Sequence, residues 1–260
     1  MSRKKNPAAA LAGAVAVILG IVIIALAALA VSGVIKLDKP ASGGKVESSA
    51  SESTPVSVEE EKSKDLEWQA APAAEAEDVT AVIETEAGSF VLKLYSGAAA
   101  ERFAELAEGG SFASAQFATL AENMFVQCPA LSAETFGAEQ NELACVYGAV
   151  GFAMDGGEIS DSFFVVTAKS LSGMSSAYIS EHAFSSERAS LYESFGGMPE
   201  YEGKVMIFGQ IVSGFNVLDS IAAGKTSGYT GGYTAENPVK ILSVTVNRPA
   251  EEGGGAEPAE

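Results

Sequence analysis

The sequence predicts a mainly β domain whose strands close into a barrel capped by helices, carried behind one membrane-spanning helix. Three observations lead there. Residues 148–167, GAVGFAMDGGEISDSFFVVT, read as a strand, a glycine-rich turn and a second strand. Phe90, Leu92 and Leu94 alternate with Val91, Lys93 and Tyr95, the period-two pattern of a strand. Two stretches carry helical spacing, and many strands with two helices fit a closed barrel whose open ends the helices cap.

Taken in order, residues 1–7 hold Arg3, Lys4 and Lys5, a basic cytoplasmic N-terminus under the positive-inside tendency. Residues 8–35 are Ala, Leu, Val, Ile and Gly with one Ser and no charge, longer than the roughly 20 apolar residues that cross a bilayer. We read them as an uncleaved transmembrane anchor; the small-x-small triplet Ala28-Leu29-Ala30 leaves a cleaved signal peptide as the rival. Either way, the chain from Lys36 onward is placed outside the plasma membrane, in a setting that suits a bacterial envelope. Residues 36–77, rich in Ser, Glu, Ala, Pro and Lys, lack the apolar content to offset ordering entropy and read as a disordered acidic tether. Trp68 stands alone in it, either a small docking point or an unstructured residue. Residues 250–260 read as a disordered tail.

Residues 78–249 form the domain. The turn Glu86-Ala87-Gly88-Ser89 precedes the Phe90–Leu94 strand. Ala99, Phe103, Leu106 and Ala107 follow helical spacing, with Gly109 as a left-handed stop. A second helix is expected over Asn216–Ala223, ended by Gly224, and a closing strand carries Val239, Ile241, Val244 and Val246 behind Asn237-Pro238.

The net charge of −18 lies almost wholly on the exported part and repels phosphate backbones, so nucleic acid is excluded as a partner. Cys128 and Cys145 leave two alternatives, a disulfide in an oxidising compartment or two buried thiols. Their spacing indicates no metal site, and the single histidine, His182, reads as a solvated loop residue.

Residues 148–167 resemble the G-x-L-S-M-A-N…G-S-Q-F-F-I-T core of the cyclophilins, the barrel-shaped peptidyl-prolyl isomerases. VIETEAGSFVLKLY from Val82, AERFAELAEGG from Ala100 and KVMIFGQIVSGFNVLDSI from Lys204 come in that family's order. The resemblance implies an eight-stranded barrel, no cofactor, and isomerisation of x-Pro bonds, whose barrier is about 20 kcal/mol. It also implies an apolar slot for the proline ring and a donor aimed at the twisting amide.

In the family that donor is the arginine of an F-H-R motif. Phe117 aligns with its Phe, but Ala118 and Thr119 come next, so Thr119 occupies the arginine position. Loss of one preorganised donor typically costs about 10²–10³ in rate. Met124-Phe125-Val126-Gln127 matches F-M-x-Q, which retains Gln127 as the catalytic-site residue and Met124 and Phe125 as apolar slot. Ala153 matches the alanine of S-M-A-N. Aligning Ser162-Phe163-Phe164-Val165 with S-Q-F-F puts Phe163 and Val165 in the substrate site and leaves Phe164 as core. Glu200-Tyr201-Glu202-Gly203-Lys204-Val205 stands for W-L-D-G-K-H, with Tyr201 as a slot wall. Residues 169–198 form an insertion, either a solvated loop or a specificity element.

These residues admit two functions. One is a membrane-anchored extracytoplasmic isomerase of weak activity acting on proline-containing exported polypeptides. The other is an inactive cyclophilin-like module that binds a peptide or an envelope protein.

Overall fold

A computed structural model describes residues 63–249, except 72, 140, 156 and 228–232. Its first element is a helix, α1 (Lys64–Ala70), followed by strands β1 (Val79–Thr85) and β2 (Gly88–Leu94). Helix α2 (Ala98–Glu108) and a 3-10 turn (Ser111–Ser114) lead into β3 (Gln116–Ala121), β4 (Phe125–Cys128) and β5 (Thr135–Gly137). The pair β6 (Ala149–Asp155) and β7 (Glu158–Val166) is followed by α3 (Gly173–Glu181), α4 (Ser186–Phe195) and a 3-10 turn (Pro199–Tyr201). The described residues end in β8 (Val205–Ser213), α5 (Phe215–Ala222), β9 (Thr226–Ser227) and β10 (Thr234–Asn247).

Neighbouring strands run β1-β2-β8-β6-β7-β4-β3-β10, and β10 pairs back onto β1, closing an eight-stranded antiparallel barrel. The β1–β2 hairpin registers Val82 on Val91 and Thr85 on Gly88, whose φ of 125° suits the residue after the turn. Helix α2 ends one residue later than expected: Gly109 stays right-handed at φ −74°, and Gly110 takes the left-handed conformation at φ 71°. Strand β10 begins before Asn237-Pro238 rather than after it. Its pairing with β3 shifts register between Thr234 and Val239, where Pro238 has no N–H to donate.

Alternation along the strands separates two apolar layers. The barrel interior takes Phe90, Phe117, Phe152, Phe163, Val165 and Phe208, with Phe103 of α2 and Phe112 packed on them. Phe163 meets Phe103, Phe112 and Phe117 at 5.7 Å each. Arg102 on α2 grips the fully buried Asp161 of β7 through two hydrogen bonds of 3.0 and 3.1 Å, fastening the helix to the barrel.

The outer layer gathers Phe125, Phe164, Val166 and Ile207 from the strands with Leu143–Val146, Leu191, Tyr192, Met198 and Tyr201. The insertion at 169–198 is thus two helices rather than a solvated loop. Gly197, at φ 121°, lets it close on the barrel, since a Cβ there would come within 2.3 Å of the Cys145 carbonyl oxygen.

The tether reading of 36–77 fails over its last residues. Leu66 and Gln69 of α1 are buried, and the Gln69 amide donates to the Ala144 carbonyl (2.6 Å) while accepting from its N–H (2.7 Å). Trp68 is docked: its indole donates to Asp78 (3.0 Å), it meets Tyr95 edge-on at 5.3 Å, and the Lys93 ammonium lies 4.3 Å from its ring centre. A polar composition concealed three residues that dock by shape and hydrogen bonding. Residues 1–62 and 250–260, which include the segment 8–35 read as a membrane anchor, lie outside the described residues, among which no helix is long and apolar enough to cross a membrane.

Cys128 and Cys145 are free and buried, which settles the open alternative in favour of thiols. Burial pushes the Cys128 thiol up to about 12, and burial with Glu202 and Glu200 nearby raises Cys145 well above its ordinary value. His182 is exposed at the end of α3 and stacks on Tyr178 at 3.8 Å.

Candidate functional site

Strand pairing assembles the site on the outer face of β3, β4 and β7. Gln127 of β4 lies opposite Thr119 on β3 and opposite Phe164 on β7, so these three share one face. Phe125, two residues from Gln127, shares that face by alternation. Gly151 lies opposite Phe164 on β6 and leaves room for its ring: a Cβ there would stand 3.1 Å from Phe164 Cζ and 2.8 Å from Ile207 Cδ1.

Phe125, Gln127, Phe164, Met198, Tyr201 and Val205 line a hollow of about 10 Å³, the room of about one water molecule. Phe125 meets Phe164 at 6.0 Å and Tyr201 at 6.4 Å, both edge-on. A pyrrolidine ring enters only when a wall moves. Met198, the last residue of the insertion, and Tyr201, in the 3-10 turn that follows it, form one wall, and Phe125, Gln127 and Phe164 on barrel strands form the other.

Gln127 is 1 % exposed, and its amide donates to the Ser162 hydroxyl (2.8 Å), which donates onward to the Cys128 carbonyl (3.1 Å). This network fixes the side chain and occupies one donor hydrogen of the amide. Thr119 is buried on the same face and brings a hydroxyl where the family pattern has a guanidinium. Arg102 and Arg188 do not take the place of the missing guanidinium. Arg102 is held by Asp161 and Glu134, and Arg188 by Glu202 at 2.8 Å and the Glu142 carbonyl at 2.6 Å.

The insertion supports the Tyr201 wall from behind. Tyr192 on α4 accepts from the Cys145 N–H (2.8 Å) and donates to Glu202 (2.6 Å), the carboxylate that Arg188 also holds. Burial, with Glu200, Cys145 and Tyr233 adding to it, raises the Tyr201 phenol well above its ordinary pKa, so it stays protonated. Its hydroxyl is buried with no hydrogen-bond partner among the described residues.

Of the residues singled out in the sequence, Phe125, Gln127 and Tyr201 meet at the hollow and Thr119 stands beside Gln127. Met124 packs half-buried on the outer layer, and Ala153 pairs with Val205 without lining the hollow. Phe163 and Val165 are corrections. Both are fully buried in the barrel interior, one step out of phase with Gln127, and touch no surface a substrate reaches. The aromatic at the hollow is Phe164, read from the sequence as core. Met198 and Val205 were missed as well. The polar residues Ser160 and Ser162 fix the outward parity of β7 and point to Phe164; nothing local marks Met198, which the insertion brings in from a distance.

A family model described as cyclophilin type peptidyl-prolyl cis-trans isomerase/CLD matches residues 80–246. Among solved structures, the chain is similar to a Cryptosporidium parvum cyclophilin type peptidyl-prolyl cis-trans isomerase crystallised in the presence of the dipeptide Ala-Pro. The identity is 14 %, with 65 % of this chain and 98 % of that chain covered and a TM-score of 0.49. A second structure of that Cryptosporidium parvum protein gives 13 % identity, the same coverage and a TM-score of 0.48. No curated protein matches the chain.

Proposed function

This chain belongs to the cyclophilin-type peptidyl-prolyl isomerase family, and from that premise we propose that it is a weak isomerase of x-Pro bonds in exported polypeptides, held outside the membrane by residues 8–35. One observation carries the reading: Phe125, Gln127 and Phe164 converge from two paired strands on one apolar hollow, with Tyr201 as its far wall. An aromatic-walled slot desolvates the x-Pro amide, whose planar ground state is more polar than its twisted form, and so lowers the barrier somewhat. Full rates need a cationic donor as well, and Thr119 supplies none.

Binding without turnover is the second reading, favoured by that same Thr119 and by the small volume of the closed hollow. A protease-coupled isomerisation assay on the full chain in mild detergent separates the two. The isomerase reading predicts a rate above the spontaneous one, about 10²–10³ below that of an arginine-bearing relative, and further reduced in Gln127→Ala. A folded chain that leaves the spontaneous rate unchanged overturns it and leaves a tethered binding module.

A further inference from the structure

We propose that the Tyr201 hydroxyl is the hydrogen-bond donor that this site offers to the twisting prolyl amide, a catalytic role at a different position from that of the missing arginine. The inference rests on the isomerase reading above and names the group that performs its chemistry.

A donor for this reaction has to lie at the hollow, carry a proton at neutral pH and be free to give it a new acceptor. Each charged candidate fails one of these conditions. Arg102 is committed to Asp161 and Glu134, and Arg188 to Glu202 and the Glu142 carbonyl. Lys204 sits 5.9 Å from the Tyr201 ring centre, on the ring and not in the hollow's lining. The Gln127 amide gives one of its two hydrogens to Ser162 and is held in that geometry, which leaves it a single further neutral donor.

Tyr201 carries a proton and is free to give it, and its side chain reaches the hollow. Its side chain lines the hollow, it is only 5 % exposed, and its hydroxyl is buried without a partner among the described residues. Burial keeps the phenol protonated across the physiological range. An unpaired buried hydroxyl destabilises a fold, a cost that a leucine or phenylalanine in the same wall would not carry. The hollow's surface is wholly apolar, so the hydroxyl is not exposed to it as the site stands, and donation requires Tyr201 to turn its hydroxyl toward the amide when a proline enters. Rotation about the x-Pro bond forms and breaks no covalent bond. As resonance is lost the proline nitrogen gains basicity, the phenol donates a hydrogen bond to it, and the phenolic proton stays on oxygen throughout. Arg188 and Tyr192, by holding Glu202, act as positioning residues for the neighbouring Tyr201.

The test is Tyr201→Phe, which deletes one oxygen and keeps the ring. The expected result is a fall of at least about tenfold in kcat with KM for an Ala-Pro peptide nearly unchanged, the pattern of an interaction made in the transition state. The melting temperature should be unchanged or higher, because the deleted group had no partner. Tyr201→Met, apolar and flexible, is a second variant with the same expected loss should the first fold poorly. Turnover equal to wild type in either folded variant overturns the donor role while the isomerase reading stands. A wild-type chain that is folded yet inactive overturns the isomerase reading, and the donor role with it, so the two failures are distinguishable.

Discussion

The barrel interior and the layer outside it are built from the same strands and both are rich in aromatic rings, yet they differ in how they treat polar groups. Inside, Phe90, Phe103, Phe112, Phe117, Phe152, Phe163 and Phe208 pack ring on ring, and the buried carboxylate on that side, Asp161, is fully engaged by Arg102 and Ser132. Outside, Phe125, Phe164, Tyr192 and Tyr201 are interleaved with Gln127, Thr119, Cys145 and Glu200, and the Tyr201 hydroxyl and one Glu200 carboxylate oxygen lack partners among the described residues. Fully satisfied packing marks a surface whose task is to hold the fold. Incomplete satisfaction marks one kept for another partner, because local rules are broken chiefly where function requires it. Two residues adjacent in sequence, Phe163 and Phe164, stand on opposite sides of this division.

Those neighbours supply the largest test. Phe163→Ala removes a ring that meets three others and is expected to cost about 3–5 kcal/mol in denaturant unfolding, while the protein that remains folded keeps its affinity for an x-Pro peptide. Phe164→Ala should lose that affinity in the folded protein, because it removes a wall of the hollow. Equal affinity losses in the two variants would erase the division between structural and functional faces.

A smaller effect is expected at the margin of the outer layer, where α1 docks. Gln69→Ala strands the Ala144 N–H and carbonyl, and should lower stability by about 1–3 kcal/mol with little change in turnover. No change in the unfolding midpoint would return residues 64–70 to the tether.

The barrel was legible because its signals are local. Alternation at Phe90–Leu94 and the paired strands of 148–167 are short-range patterns, and Val239–Val246 reads as a strand on its own composition. The half of the site on β4 was legible for the same reason, since a glutamine at 127 in an apolar strand demands an explanation. Phe163 and Val165 were misassigned because side chains alternate with period two, so a one-residue slip in matching Ser162 moves every residue of β7 to the wrong face. The Met198 and Tyr201 wall depends on α4, whose Arg188 and Tyr192 hold Glu202 over 14 and 10 residues of sequence. Trp68 and Gln69 engage partners at Lys93 and Ala144, a distance at which composition says nothing.

The decisive measurement is a peptide titration of the isotope-labelled full chain followed by NMR. An Ala-Pro peptide is expected to shift the signals of Phe125, Gln127, Phe164, Met198 and Tyr201 together and to leave those of Phe103, Phe117 and Phe163 in place. Shifts centred elsewhere on the barrel, or none at all from a folded chain at millimolar peptide, would contradict a binding face on β4 and β7.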